Sequence, residues 1–203
     1  MEEIMKTLTC LCILLIVFFL PQTMVAQKES QNLVKNGGFE KFTGDNPDNW
    51  DANNIPGTLT VVSASRISNS GMRAVKIEVK DFIGSVNAGY VCQKDIGTAG
   101  KDLQINCFFA LQSVGKDQGV MVLCFQNAAG STVGSEEEYL DDTKGKFVQF
   151  TKEIKAPAGA AMLQLRLTIL PDKESERAHP GSYMLCDDLK LTTIEAKEKP
   201  LVQ

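Results

Sequence analysis

The sequence contains few of the residues that most often carry enzyme chemistry. Its 203 residues include one histidine, His179, and one tryptophan, Trp50. No serine or cysteine signature of a nucleophilic enzyme accompanies His179 in residues 177–181. A glycosidase needs two carboxylates flanking the scissile bond, but with 25 acidic residues such pairs arise by chance. The sequence therefore predicts that the protein is not an enzyme and that His179 is a loop residue.

The chain also lacks any cluster of lysine and arginine. Its net charge is −4 at pH 7 and its isoelectric point is about 5.1. Proteins that bind nucleic acid generally present a basic patch to the phosphates, so nucleic acid is excluded as a predicted partner. Apolar residues make up 43% and charged residues 23% of the chain, which is typical of a globular protein. The length leaves room for a single domain with a sizeable core.

One uncharged, mostly apolar run stands at the amino end, over residues 8–20. It is shorter than the ~20 residues that a membrane span needs, and residues 1–26 are therefore predicted to be a signal peptide cleaved after Ala26. An uncleaved anchor is the alternative. Met1 or Met5 could be the start, and Met5 would give the expected positive charge at Lys6. The predicted location is secreted, periplasmic or at the cell surface, with membrane contact only through the export signal.

Four cysteines follow the predicted signal peptide: Cys92, Cys107, Cys124 and Cys186. An even number in an exported chain permits two disulfides in three possible connectivities. Each cysteine, however, lies within an apolar, strand-like run and not at loop spacings. Buried free thiols are therefore the alternative.

The rest of the chain has the pattern of an all-β domain, predicted here over residues 27–194. Short apolar or alternating runs are separated by Gly, Pro, Asn or Asp, without a long helical period or an internal repeat. Such strands suit a two-sheet antiparallel β-sandwich of the jelly-roll type. The charged segment 195–203 is predicted to be a flexible tail. The predicted strands are residues 32–36, 58–63, 73–79, 90–96, 103–113, 120–127, 147–154, 162–170 and 182–193.

Side-chain alternation assigns the residues of these strands to faces, because successive side chains point to opposite sides of a sheet. The residues predicted to face the core are Leu103, Ile105, Cys107, Phe109, Leu111, Val148, Phe150, Ile154, Leu163, Leu165, Leu167 and Ile169. The opposite side then receives amides, a guanidinium and an aromatic ring: Gln104, Asn106, Phe108, Gln164 and Arg166.

These five outward residues are predicted to bind a ligand together on one sheet face. Amide and guanidinium groups can hydrogen-bond to sugar hydroxyls, and an exposed aromatic ring favours a surface that is used. A merely solvated polar face is the alternative, because antiparallel sheets routinely carry one. Tyr139, in the acidic segment 135–142, is predicted to lie at the rim as a further ligand-binding residue. Trp50 and Tyr183 are predicted to be packing residues.

The adjacent carboxylates Asp187 and Asp188 are unusual within an apolar strand. One of them must share the apolar side, and a buried carboxylate needs a hydrogen-bonding partner or a metal. Calcium would meet this need, because it binds carboxylate and backbone oxygens.

Four segments resemble the carbohydrate-binding modules of the CenC-like, cellulose- and xylan-binding families within the galactose-binding-like fold: residues 32–40 (NLVKNGGFE), 46–50 (NPDNW), 70–74 (SGMRA) and 183–191 (YMLCDDLKL). The resemblance implies a jelly roll that binds a polysaccharide or oligosaccharide on its concave sheet. It also implies a structural calcium (Ca2+) between the first and last strands, at Glu40 and Asp187, or at Asp188 if the register differs by one residue. A structural or adhesive module that contacts a cell-surface protein is the alternative, and an exposed apolar patch would favour it.

Overall fold

The computed structural model describes residues 31–194. The predicted signal peptide (1–26) and tail (195–203) lie outside the described residues. No helix within residues 31–194 has the length and apolar content that crossing a bilayer requires.

Thirteen β-strands form the regular structure of the described residues. The short strands near the amino end are separated by turns rich in Gly, Asn and Asp, and the later strands are long and mostly apolar on one side. The strands are β1 (Phe42–Thr43), β2 (Asn46–Pro47), β3 (Asp51–Ala52), β4 (Val62–Ser65), β5 (Ala74–Phe82), β6 (Ser85–Ala88), β7 (Tyr90–Gly97), β8 (Leu103–Gln112), β9 (Gln118–Gln126), β10 (Thr132–Leu140), β11 (Val148–Ile154), β12 (Met162–Leu170) and β13 (Tyr183–Thr193).

The long strands form two antiparallel sheets that pack face to face. The five-stranded sheet has the order β10-β9-β12-β7-β3, and the six-stranded sheet has the order β11-β8-β13-β5-β4, with β6 also paired to β5. Strands β1 and β2 form a separate small hairpin. The predicted two-sheet antiparallel β-sandwich is confirmed. Strand β13 lies between β8 and β5 in the middle of its sheet.

The core lies between the two sheets and contains the predicted inward rows. All four inward residues of β12 and four of the five on β8 are fully buried, and Phe109 is 5% exposed. Burial of each such aliphatic side chain contributes about 1.5–3 kcal/mol relative to exposure. On β11, Ile154 is buried but Val148 is 40% exposed, because β11 is an edge strand and its first residues lie at the rim of the sandwich.

Trp50 is a packing residue, as predicted. It is 5% exposed, and its ring centroid lies 5.1 Å from that of Phe39. The indole Nε1 donates a hydrogen bond to the Lys35 carbonyl oxygen. The prediction that Tyr183 belongs to the core is wrong: it is half-buried, and the Lys76 ammonium lies 5.0 Å from its ring centroid.

The four cysteines of the described residues are free thiols, so the disulfide alternative does not appear in this part of the chain. Cys92, Cys107 and Cys186 are buried, and Cys124 is partly exposed. A hydrogen bond with the Cys107 thiol and burial together raise the pKa of Cys186 well above its ordinary value. The thiol of Cys186 is therefore held protonated and unreactive.

The first predicted strand, residues 32–36, is not a strand in the structure. This segment instead lies against β13, where Leu33 N donates to the Leu191 carbonyl oxygen at 2.8 Å and Leu189 N donates to the Gly37 carbonyl oxygen at 2.9 Å. We call residues 32–37 the amino-terminal seam. It satisfies backbone groups of β13 beyond the residues that pair with β5.

The acidic segment 135–142 is largely a strand, which the sequence did not predict. Strand β10 pairs along its length with β9, although it carries three consecutive glutamates at 136–138. Because β10 is an edge strand, these side chains need not enter the core, and Glu138 forms an ion pair of 2.6 Å with Lys152 on β11. Charged side chains on an edge strand also hinder pairing with other chains.

Candidate functional site

The six predicted ligand-binding residues do not lie on one face. Outward side chains of the two sheets point to opposite sides of a sandwich. The prediction of a single concave face is therefore wrong, because alternation gives the direction of a side chain but not the sheet that its strand joins. Gln104, Asn106 and Phe108 are on β8 of the six-stranded sheet, whereas Tyr139 on β10 and Gln164 and Arg166 on β12 belong to the five-stranded sheet.

The β8 residues line an open groove of about 520 Å3, which we call the amide groove. Its polar groups partly satisfy one another, since Asn106 Nδ2 donates to Thr151 Oγ1 at 2.9 Å and Gln149 Nε2 donates to Asn106 Oδ1 at 3.3 Å. The groove has room for a polar ligand, with Phe108 as its aromatic contact. Its lining consists of Gln104, Asn106, Phe108, Gln149, Asp188, Lys190 and Thr192.

The outer surface of the five-stranded sheet presents a different arrangement. Strand register aligns its outward side chains in rows that run across the strands. One row consists of Glu137, Val122, Arg166, Cys92 and Asp51, and the next consists of Tyr139, Val120, Thr168 and Tyr90. Tyr90 was not among the predicted site residues. We call this surface the tyrosine face and define it by Tyr90, Glu137, Tyr139, Gln164 and Arg166.

Arg166 is held at the centre of the tyrosine face. Its guanidinium carbon lies 4.7 Å from the centroid of the Tyr90 ring, a cation–π contact that fixes the orientation of the exposed guanidinium. Tyr139 lies three strands from Tyr90 in the same row, about 14 Å away at the usual strand spacing. The Tyr139 side chain is 49% exposed. Its hydroxyl donates to Glu137 Oε2 at 2.7 Å, and this hydrogen bond raises the pKa of Tyr139.

Two further contacts complete this surface. Gln164 Nε2 donates to Cys92 Sγ at 3.0 Å. The side-chain oxygen Oε1 of Gln164 is left as an acceptor for a ligand. Lys94 and Asp51 form an exposed ion pair of 2.8 Å. The hydrogen bond that Lys94 donates to the Asp51 carboxylate raises the pKa of Lys94.

The carboxylate of Asp187 is fully buried, and its partners are backbone amides. Oδ2 accepts from Asn69 N at 2.8 Å and from Ser70 N at 3.0 Å, and Oδ1 accepts from Asp188 N at 2.7 Å. Burial raises the pKa of Asp187 above its ordinary value, although these amide hydrogen bonds act in the opposite direction. Asp188 has φ of 50°, and the register of β13 with β8 shifts between Asp187 and Lys190. The regular alternation of side chains is interrupted at this point, so two adjacent carboxylates can occur in one strand.

The other two predicted metal ligands also hold the loop at residues 66–73. Asp188 accepts from Asn69 Nδ2 and from Ser70 Oγ, each at 2.8 Å. Glu40 Oε1 accepts from Met72 N at 2.9 Å. We call residues 66–73 the carboxylate-held loop.

This donor set does not fit the predicted calcium ion. N–H and O–H donors point at the oxygens that a cation would need, and the described residues contain no group of three or more His, Cys, Asp or Glu that could hold a metal. The need of Asp187 for a partner is met by the carboxylate-held loop. A structural calcium site at these carboxylates stays a prediction, and their hydrogen bonds to the carboxylate-held loop do not favour it.

Chelation is therefore expected to leave the stability of the protein unchanged. Thermal unfolding should give midpoints within about 1 °C in excess EDTA and in millimolar calcium, because a folded-state ligand at 100 times its dissociation constant would add about 2.7 kcal/mol. That gain would raise the midpoint by at least about 5 °C in a domain of this size. A calcium-dependent rise of that size, abolished by Glu40→Gln, would restore the predicted metal site.

His179 is half-buried and contacts a buried polar pair, Asp117 and Ser182, that the sequence did not reveal. Asp117 accepts from Ser182 Oγ at 2.7 Å, from His179 N at 2.7 Å, and pairs with His179 Nδ1 at 2.8 Å. A serine nucleophile would need the imidazole as its base, whereas Ser182 is fully buried and bonded to the carboxylate. The network joins the β8–β9 loop to the segment before β13, and His179 lies outside the strands, as predicted.

The chain is similar in fold to known proteins of solved structure, whereas it has no match among family models or curated sequences. No protein-family model matches the chain, and no curated protein sequence matches it. Solved structures match most of the described fold at low sequence identity. The enzymatically active domain of bacteriophage CBA120 tailspike protein 4 is 15% identical over 80% of this chain, with a TM-score of 0.60. The chain spans 21% of the length of that solved domain.

Two carbohydrate-binding modules match over nearly their whole length. TmCBM61, solved with β-1,4-galactotriose, is 13% identical over 81% of this chain and 100% of its own, with a TM-score of 0.54. The CBM22-1 xylan-binding domain of Paenibacillus barcinonensis Xyn10C is 12% identical over 83% of this chain and 97% of its own, with a TM-score of 0.53. At such identities the likeness concerns the fold, and the protein has the β-sandwich fold of carbohydrate-binding modules.

Proposed function

We propose that the protein is an exported, non-catalytic module that binds a glycan on its tyrosine face. The observation that carries the proposal is the row in which Tyr139 and Tyr90 lie about 14 Å apart with Arg166 beside it on the adjoining row. Exposed aromatic rings offer apolar faces on which sugar rings stack. Guanidinium and amide groups supply hydrogen bonds to hydroxyls. The CenC-like motifs and the shared fold are consistent with this function.

A glycan that lies across the strands would contact Tyr139, Arg166 and Tyr90 in that order. Tyr139 is the exposed ring that a sugar can cover, and its hydroxyl is already oriented by Glu137. Arg166 is oriented by Tyr90 before any ligand arrives. Because these side chains lose little rotational freedom on binding, more of the contact energy is available as affinity.

The amide groove is the second candidate for the same function, since it is concave and contains Phe108. Its amides bond to neighbouring side chains, however, and a ligand would have to compete with these contacts.

The protein-contacting alternative would need an exposed apolar patch. The strongly exposed aliphatic side chains of the described residues lie in turns and loops or at the β11 edge and not on the tyrosine face: Ile55, Ile67, Met72, Ile83, Val114 and Val148.

Matched substitutions on the two faces test the proposal. The purified protein would be screened by calorimetry against plant, host and microbial polysaccharides. For a polysaccharide that binds, Arg166→Ala and Tyr139→Ala should each weaken the affinity at least about tenfold, because a contact to a charged or aromatic group is lost. Phe108→Ala, in the amide groove, is the matched control and should change affinity less than about twofold.

Thermal unfolding of each variant would confirm that it is folded. Loss of binding in Phe108→Ala but not in Arg166→Ala would move the site to the amide groove. A folded protein that binds no polysaccharide in a broad panel would overturn the glycan-binding function.

A further inference from the structure

The charged side chains on the tyrosine face and beside it differ in whether an opposite charge or a hydrogen bond accompanies them. Lys94 and Asp51 neutralise each other through their ion pair, and the Glu137 carboxylate accepts a hydrogen bond from the Tyr139 hydroxyl. Arg166 differs from them. Within residues 31–194, no carboxylate lies within 4.0 Å of its guanidinium. The centre of the tyrosine face therefore carries a positive charge, and this charge lies against the ring of Tyr90 and not against a carboxylate.

The neighbours of Arg166 cannot supply a counter-charge. Its partners on the two adjoining strands are Val122 and Cys92, neither of which carries a carboxylate. The acidic residues of the same row, Glu137 and Asp51, are each two strands away, about 10 Å at the usual spacing. The exposed guanidinium thus projects from between Val122 and Cys92, with no carboxylate on either adjoining strand beside it.

The chemistry of the guanidinium indicates which ligand group suits this position. Arginine presents five N–H donors in a planar fork that matches a two-oxygen anion through paired hydrogen bonds. A sugar hydroxyl would satisfy one of these donors, whereas a carboxylate or a sulfate ester would satisfy two and also supply the missing charge. No hydrogen bond from the guanidinium to another side chain or backbone group is present within residues 31–194, so its N–H donors are available for such a pair.

We infer that the glycan bound by the tyrosine face is anionic, and that Arg166 recognises its carboxylate or sulfate groups. This inference rests on the proposed glycan-binding function and narrows it to a class of ligand. The net charge of the protein, −4, opposes long-range attraction of a polyanion, so recognition depends on this local contact.

Matched polymers that differ only in charge test the inference. Polygalacturonate would be compared with its carboxyl-reduced form, and a sulfated galactan such as carrageenan with its desulfated form, by calorimetry or affinity electrophoresis. At least one anionic member should bind about tenfold or more tightly than its matched partner, as expected for a charge-assisted pair. The pair that shows the difference identifies the anionic group. Raising the salt concentration should weaken only the anionic interaction.

Variants assign the effect to Arg166. Arg166→Gln should abolish the preference for the charged polymer, and Arg166→Lys should keep part of it, because lysine retains the charge but not the fork. Lys190→Gln, in the amide groove, removes one positive charge from the opposite side of the molecule and should leave the preference unchanged.

The outcomes separate this inference from the function on which it rests. Equal binding of charged and neutral polymers, or loss of the preference in Lys190→Gln, would overturn the inference while glycan binding stands. A folded protein that binds none of the polymers, nor any in the broader panel, would overturn the proposed function itself.

Discussion

Replacement of Asp187 by alanine is expected to lower the free energy of unfolding by roughly 3 kcal/mol. The substitution leaves the amides of Asn69, Ser70 and Asp188 without the carboxylate that accepts all three hydrogen bonds. A buried donor left unpaired costs about 1–3 kcal/mol. Asn69 and Ser70 are exposed residues and Asp188 is half-buried, so water would recover part of this cost. Urea unfolding followed by fluorescence of Trp50 would measure the loss.

Two further variants show whether these hydrogen bonds are the cause. Asp187→Asn should lose only about 1 kcal/mol, because its oxygen can still accept from the loop while its NH2 group opposes the amide of Asp188. Asparagine also removes the cost of the buried charge, which is evident in the raised pKa of Asp187. Asp188→Asn, at a half-exposed position where asparagine tolerates positive φ, should change stability by less than about 0.5 kcal/mol. Equal losses in Asp187→Ala and Asp188→Asn would contradict this explanation.

Replacement of Gly37 by alanine is expected to lower the free energy of unfolding by about 2–4 kcal/mol. A Cβ atom at this position would lie 2.0 Å from the carbonyl oxygen of Leu189, which is too close for any real contact. The amino-terminal seam would have to move away from β13. The hydrogen bond from Leu189 N to the Gly37 carbonyl oxygen would be lost or lengthened.

The neighbouring glycine provides the control for this substitution. A Cβ atom on Gly38 would meet nothing within 4 Å. Gly38→Ala should therefore leave the midpoint of urea unfolding nearly unchanged. If Gly37→Ala were as stable as Gly38→Ala, the seam would contribute little to the fold.

The fold could be predicted from the sequence where apolar and polar residues alternate regularly. The inward rows of β8 and β12 follow from side-chain alternation alone, because each long strand has one face in the core. Strand β10 could not be predicted because its three consecutive glutamates interrupt the alternation of apolar and polar residues. An edge strand can form without that alternation, because it is only partly covered by the core. The strand-like composition of the amino-terminal seam predicts a strand, but its hydrogen-bonding partners lie more than 150 residues away in sequence and leave no local signal.

The candidate site was harder to predict, because it depends on which strands become neighbours. Gln164 and Arg166 share an alternation pattern with Gln104 and Asn106, and only the strand order shows that the two pairs lie on opposite sides of the molecule. Tyr90 joins Arg166 through the pairing of β7 with β12, a long-range contact that no local pattern indicates. The partner of Asp187 was likewise hidden, since backbone amides of a distant loop leave no mark in composition.

The central position of β13 also bears on how the protein reaches its native state. Until β13 inserts, the six-stranded sheet consists of two separate parts, β8 with β11 and β5 with β4 and β6. Each part then presents an unpaired strand edge while residues 183–193 are still unplaced. Closing the sheet joins segments about 100 residues apart, and such non-local pairing folds slowly. A chain in which the β13 pairings have not yet formed is therefore expected to be the form most prone to aggregation through its unpaired edges.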